Sequence, residues 1–237
     1  MFKYELHMHT SESSACGKNN IHEMIKKYKA EGYAGAVITN HFFYGNTCID
    51  RTLPPQKFVK QFCAPYFEGL ATAKELDFDL LFGIEENLGG GKEFLIYGIT
   101  PQFLLEHTYL FAPEMNTSPY RFKMLECWVA EAKKCGALIA LAHPFRSRAY
   151  IKDPDYLPDS SLYEAVEVYN YCNTPEDNQK AMDFFADSDK IKIAGSDLHS
   201  IEFSQSSGVL LPRRARDEIA LVEQLREGNF ELLLPKI

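Results

Sequence analysis

Two histidines near the amino end, His7 and His9, are separated by one residue in Tyr4-Glu5-Leu6-His7-Met8-His9-Thr10. An extended strand puts residues i and i+2 on one face, so both imidazoles can address one ion while Leu6 and Met8 pack on the other side. One such pair is weak evidence by itself. The chain returns to the theme at Asn40-His41, Gly83-Ile84-Glu85, His143-Pro144 and Asp197-Leu198-His199, each at or near the end of an apolar run. Any one of these histidines alone reads equally well as a structural side chain. Five of them, with several carboxylates, dealt out to the ends of different apolar segments, point to one multimetal centre. His22 and His107 lack that placement and read as helix or helix-end residues.

The segments that must position these groups alternate in type. Residues 2–7 read as a strand, and a polar loop from Thr10 to Gly17 follows. Asn20 caps a helix from about Ile21, with Ile21, Met24, Ile25 and Tyr28 at helical spacing. Gly32 ends it, and Tyr33 to Thr39 carries a buried strand, clearest over Ala36 to Thr39. Residues 42–55 are irregular and read as a rim loop over the site. Lys57 to Leu76 has a helical pattern, with an interruption expected near Pro65. Leu80 to Ile84 is a compact strand ending beside Glu85. Leu88-Gly89-Gly90-Gly91-Lys92 imitates a phosphate loop but lacks the Gly-Lys-Ser/Thr ending and the following helix, so it reads as a turn into a strand over Phe94 to Tyr97. Helices are expected at Phe103 to Glu106, Arg121 to Lys134, Pro175 to Ala186 and Asp217 to Arg226. Strands are expected at Ala137 to Leu141, Ala165 to Tyr169, Ile191 to Ala194, Gly208 to Leu211 and Phe230 to Leu234, with irregular loops at 108–119 and 145–160. This alternation fits a barrel or an open α/β sheet, and the barrel is preferred because the candidate ligands come from many strand ends.

The 237 residues are read as a single domain spanning 1–237. A net charge of -8, from 25 basic and 33 acidic residues, argues against a broad nucleic-acid surface but leaves room for a small anion at a metal site. There is no basic, apolar leader and no apolar run long enough to cross a bilayer, so a cytoplasmic enzyme with no membrane partner is the expectation. The 6 cysteines include no Cys-x-x-Cys pair and read mostly as reduced and structural. Cys16 lies close to the first motif, where a soft-ligand role stands against loop packing, the preferred reading. The oligomeric state is open, a homodimer being compatible with the sequence.

Read together, His7-x-His9-Thr10, Thr39-Asn40-His41 where Thr-Asp-His is usual, Gly83-x-Glu85, His143-Pro144 and Gly195-Ser196-Asp197-x-His199 resemble the polymerase and histidinol phosphatase family, the PHP family. These pieces span nearly the whole chain. The resemblance implies a distorted seven-stranded β/α barrel of TIM-like form, a metal-dependent hydrolase centre and phosphoester substrates, with histidinol phosphate a family-level candidate. It implies that His7, His9, Glu85 and Asp197 hold one metal, that Glu85 bridges to a second held by His143, and that His41 and His199 hold a third. Glu12 and Glu93 fall where many relatives carry histidines, and are candidate ligands on that ground. The implied cofactor is two or three divalent transition-metal ions: manganese, iron or zinc. Asn40 departs from the family carboxylate; it either orients a neighbouring ligand or water by hydrogen bonding or simply caps a loop. Glu167 and Asn170 resemble a family segment beside the cleft, supporting the ligands from behind.

The implied reaction is hydrolysis of a small-molecule phosphomonoester, a hydroxide held between metals near Glu85 and Asp197 attacking phosphorus opposite the departing oxygen. His199 or a loop acid would assist proton transfer. No serine elbow or Cys-His-Asp order competes with this reading. Arg146, just after His143-Pro144-Phe145, and Arg148 are candidate clamps on phosphate oxygens, whereas Lys18 reads as a solvated loop residue. Two alternatives stay open: a noncatalytic metal-dependent phosphate sensor, and a nuclease acting on nucleotide ends without an extended nucleic-acid surface.

Overall fold

Short runs rich in β-branched and aromatic residues, punctuated by glycine, proline and capping side chains, build the strands. The computed structural model describes residues 1–88, 91–111, 118–149, 151, 153–203 and 207–235. Among them, β1 (Phe2–Met8), β2 (Tyr33–Ile38), β3 (Asp79–Asn87), β4 (Glu93–Tyr97), β5 (Leu138–Leu141), β6 (Ala165–Asn170), β7 (Ile191–Gly195), β8 (Gly208–Leu211) and β9 (Glu231–Leu233) form one sheet. Its order is β7-β6-β5-β4-β3-β2-β1-β8-β9. Neighbours are parallel from β1 to β3 and from β5 to β7, whereas β4 runs antiparallel to both β3 and β5. β8 and β9 continue the sheet beyond β1 in antiparallel pairing. The sheet curls until Met8 bridges to Leu198, just after β7, which leaves a nearly closed barrel.

The fold is thus mixed α/β and barrel-like, as expected, but with nine strands instead of the seven that the resemblance implied. All nine lie on segments read as extended from the residues; the last two form an antiparallel pair added beside β1, with a helix between them in the chain. Strict β/α alternation fails at β3 and β4, which are consecutive and antiparallel.

Helices α1 (Ile21–Ala30), α2 (Pro55–Glu75), α3 (Pro101–Glu106), α4 (Ser118–Lys134), α5 (Pro175–Phe184) and α6 (Glu218–Glu227) accompany the sheet. Asn20 and Glu23 form a reciprocal capping box at the start of α1. The expected break at Pro65 is absent, because α2 runs unbroken with the proline ring buried. The carbonyl that loses its N–H partner belongs to Gln61, an exposed residue, where water can satisfy it. The loop after His41 opens with Phe42, Phe43 and Tyr44 buried; Phe42 packs edge-on against Phe58, Phe62 and Phe111. Residues 89 and 90 of the glycine turn, 112–117 of the loop read at 108–119, and 150 and 152 of the loop read at 145–160 lie outside the described residues. Among the described residues, no helix is long and apolar enough to cross a membrane.

β1 carries Glu5 as well as His7 into the interior, and Glu5 ties this strand to the chain leaving β7. Its carboxylate accepts from the backbone N–H of His7 at 2.8 Å, from that of Ser196 at 2.9 Å, and from the Ser196 hydroxyl at 2.5 Å. Complete burial pushes this carboxyl up from 4.5 to about 7, against the lowering effect of those bonds and of His7. A carboxyl raised in the folded state contributes stability below its unfolded value, lost as pH rises through the folded one. Ionising Glu5 therefore costs the fold on the order of 3 kcal/mol. Glu5→Gln keeps an acceptor for the two N–H groups and removes the titration. The stability gap between this variant and the parent, followed by urea unfolding of metal-free protein, should move in the variant's favour from about pH 5 to about pH 8. A gap independent of pH would show that Glu5 does not titrate in this range.

Candidate metal centre

The predicted ligands reach one place because the strand ends do. His7 lies in β1 and His9 one residue past it; His41 follows β2 and bridges to Glu85, whose residue sits within β3 and not beside its end. His143 follows β5, and Asp197 and His199 follow β7. Glu93 opens β4, and because β4 is reversed, its first residue meets the carboxyl ends of the parallel strands. His143 and Asp197 take positive φ values of 28° and 53°, conformations that cost a non-glycine residue about 1–3 kcal/mol and turn both side chains inward.

Glu85 is the hub. Its Oε1 lies 3.0 Å from His143 Nε2 and 3.3 Å from His7 Nε2, and its Oε2 lies 3.2 Å from His9 Nε2 and 2.9 Å from His41 Nδ1. Asp197 Oδ1 is 3.0 Å from His9 Nε2, 3.5 Å from His7 Nε2 and 3.6 Å from His199 Nε2. Glu93 approaches His143 at 3.4 Å and His41 at 3.7 Å. His41 Nδ1 and Glu85 Oε2 are buried and close, yet neither has a partner in hydrogen-bonding geometry. Such orphaned donors, together with buried imidazole and carboxylate groups, fit divalent transition metals. Compatible groups are His7-His9-Glu85, His7-His143-Asp197, His9-Asp197-His199 and His41-Glu85-Glu93.

Hydrogen bonds behind the ligands set which nitrogen points inward. Glu167 Oε1 accepts from His7 Nδ1 at 3.0 Å, while its Oε2 accepts from the His143 backbone and from Asn170 Nδ2. Gly195 permits this contact, since a Cβ there would lie 2.5 Å from Glu167 Oε1 and 2.6 Å from His7 Cβ. On the other side, Thr10 N–H donates to Asn40 Oδ1, so the Ser14 hydroxyl, 2.9 Å from the same oxygen, must donate its proton there. The Ser14 oxygen is then an acceptor for the His41 N–H and for His9 Nδ1. The His9 ring is thereby held with Nδ1–H on Ser14 and Nε2 turned to the centre. Asn40 thus bonds both Thr10 and Ser14; the sequence carried no signal for Ser14.

Burial opposes the charge on both central carboxylates, and their neighbours overrule it. Glu85 is held well below the usual range by His7, His41 and the bond from His143; Asp197 is held there by His7, Arg146 and His9. Reciprocally, His7 is raised by Asp197, Glu85 and Glu167 against its burial, and His41 mainly by Glu85. His199 moves the other way, to about 4, because burial and the other imidazoles outweigh the pull of Asp197.

Arg146 is buried, and its guanidinium donates to Asp197 Oδ2, to Asn170 Oδ1 at 3.0 Å and to Asn173 Oδ1 at 2.8 Å. Arg148 is exposed and donates to the Cys172 carbonyl at 2.6 Å. Both line a cavity of about 670 Å³ together with Glu93, Asp197 and His199. Lys92 Nζ donates to the carbonyls of Pro144 at 2.6 Å and Pro154 at 2.9 Å, tying the start of β4 to the segment after His143. Lys18 is exposed, as expected, with its backbone N–H on the His199 carbonyl.

Glu12 is not brought into the cluster, which corrects its expected ligand role. Its Oε1 accepts from the Ile21 N–H at 2.9 Å, because the first turn of α1 has unsatisfied donors and a nearby carboxylate meets one. Cys16, from the same loop, comes instead within 4.8 Å of donor atoms of His9 and His41.

No family model matches the chain, and no curated protein matches it in sequence. Solved structures do match in shape. A two-domain protein from Bacteroides vulgatus, said to contain a region assigned by prediction as a PHP-like metal-dependent phosphoesterase, superposes with a TM-score of 0.69 at 16% identity. The match covers 98% of this chain and 64% of that one, so the chain spans less than two thirds of that protein. A candidate metal-dependent phosphoesterase from Bifidobacterium adolescentis gives 0.56 at 14% identity, covering 96% of each chain. An amidohydrolase from Chromobacterium violaceum, with sulfate bound and no metal, gives 0.56 at 17% identity, covering 83% of this chain and 87% of that one. The chain thus shares its fold with a protein said to contain a PHP-like region and with a second named as a candidate metal-dependent phosphoesterase.

Proposed function

We propose that this chain is a metal-dependent hydrolase of small-molecule phosphomonoesters. The observation that carries the reading is the convergence of five imidazoles on Glu85 and Asp197 beside a cavity whose wall holds a buried guanidinium. His7, His9, Glu85 and Asp197 would hold one ion, His143 and Glu93 with Glu85 a second, and His41 and His199 a third. When bound, such ions acidify water and neutralise charge on phosphoryl oxygens.

The protein's own part is positioning. Arg146 is fixed in plane by Asp197, Asn170 and Asn173 through Nε and Nη2, which leaves the Nη1 donors for an anion in the cavity. Arg148 adds positive charge at the exposed rim. Glu167 and the Ser14–Asn40 pair hold two imidazoles through Nδ1, with Nε2 aimed at the centre before any ion arrives. The cavity size suits a small ester. Sulfate in one fold neighbour, a tetrahedral anion like phosphate, and the phosphoesterase names of two others support the same reading.

The direct test is phosphate release from a panel of small phosphomonoesters by protein purified without chelators, with bound metals measured in the same sample. Selective, metal-dependent release is the expected result. Phosphate binding without release over stoichiometric manganese, iron and zinc would make the chain a sensor. Asp197→Asn and His143→Ala should lose turnover and metal together, by more than the about 10–100-fold expected for an outer partner, with less effect on folding than on metal occupancy. Unchanged metal content and rate in both would rule out the assigned centre. Ser14→Ala frees the His9 ring to take either tautomer, so metal affinity in calorimetric titration should weaken about 10–100-fold. An unchanged affinity would mean that Ser14 does not hold the ring.

A further inference from the structure

The polar loop between β1 and α1 is pinned on several sides. Ser14 pairs with Thr47, the Ala15 N–H donates to the Asn46 carbonyl, and the Lys18 N–H donates to the His199 carbonyl at 2.8 Å. Gly17 lets the loop fold back on the strand end, since a Cβ there would lie 2.4 Å from the carbonyl carbon of Thr10. These restraints set Cys16 at the cavity wall, a donor atom within 4.8 Å of donors from His9 and His41. A cysteine near two histidines is not a site by that fact alone. The independent observation is His41 Nδ1, on a residue 8% exposed, which has no partner in hydrogen-bonding geometry and belongs to the same three-residue group. The carboxylate of the same loop, Glu12, bonds the start of α1 through Oε1 and belongs to none of the compatible donor groups.

We infer that Cys16 supplies a thiolate ligand, beside His41, to the ion that His41 and His199 would hold, all three lining the same cavity, and that this position selects a thiophilic divalent cation of the zinc, cobalt or iron class over manganese or magnesium. The inference rests on the metal-centre reading above. Binding is a proton exchange: the thiol proton leaves to solvent as the sulfur–metal bond forms, with no change in oxidation state. A sulfur donor softens a centre otherwise built of imidazole nitrogen and carboxylate oxygen. Selectivity is the consequence, because hard ions gain little from sulfur.

The test is titration of metal-free protein with cobalt(II), followed by absorption spectroscopy and by the amount of cobalt retained. Thiolate bound to cobalt gives a near-ultraviolet charge-transfer band that imidazole and carboxylate ligands do not. The band is expected in the parent protein and in Cys48→Ser and Cys172→Ser, and its loss is expected in Cys16→Ser, whose remaining ions still bind. Competition should also show zinc displacing manganese less effectively in Cys16→Ser than in the parent. Cobalt retained by the parent without the band would overturn the thiolate ligand and leave the metal centre standing. A band that persists in Cys16→Ser but vanishes in Cys172→Ser would overturn it in favour of Cys172, which lines the same cavity. Failure of the parent to retain any cobalt would sink the centre and the thiolate ligand together.

Discussion

Glu85 and Asp197 are ionised carboxylates in a barrel interior, 1% exposed each, and a lone charge so placed would cost several kcal/mol. The structure answers with positive and hydrogen-bonding groups on every side: four imidazoles around Glu85, three imidazoles and Arg146 around Asp197. Much of the local architecture follows from that requirement. Imidazoles can serve only if their rings are oriented, so Glu167 stands behind His7, and Ser14 with Asn40 behind His9. The strand ends can meet only if the sheet curls, and β1 and the chain after β7 are joined by Glu5 and by the Met8–Leu198 bridge. Of the three described non-glycine residues with positive φ, two, His143 and Asp197, lie in this cluster, where distorted backbone aims a side chain that ideal geometry would misdirect.

The parts legible in the sequence were those with local signals. His7 and His9 announce themselves by strand spacing, and Asp197 and His199 by their place after Ile191-Lys192-Ile193-Ala194. All nine strands appear as extended segments. Their closure into a barrel does not, because it depends on register between residues far apart in the chain. Glu93 was reachable only through the family resemblance, since its role depends on β4 running backwards between two partners. The opening loop shows the limit most plainly. Glu12 and Cys16 lie four residues apart, and which of them lies near His9 and His41 depends on the Ile21 N–H and on Gly17 packing on Thr10. Ser14 gave no signal, because a hydroxyl that relays orientation looks like any other serine in a polar loop. Pro65 misled in the opposite direction: its local rule was overruled by an exposed carbonyl and a buried ring.

Lys92 gives the rim a mechanical property. Its ammonium holds the Pro144 and Pro154 carbonyls, while its own peptide bond leads straight to Glu93 and that of Pro144 straight back to His143. Two donors from different strands are thus cross-braced through one side chain outside the barrel. The separation of Glu93 from His143 is therefore set by one ammonium as well as by the pairing of β4 with β5.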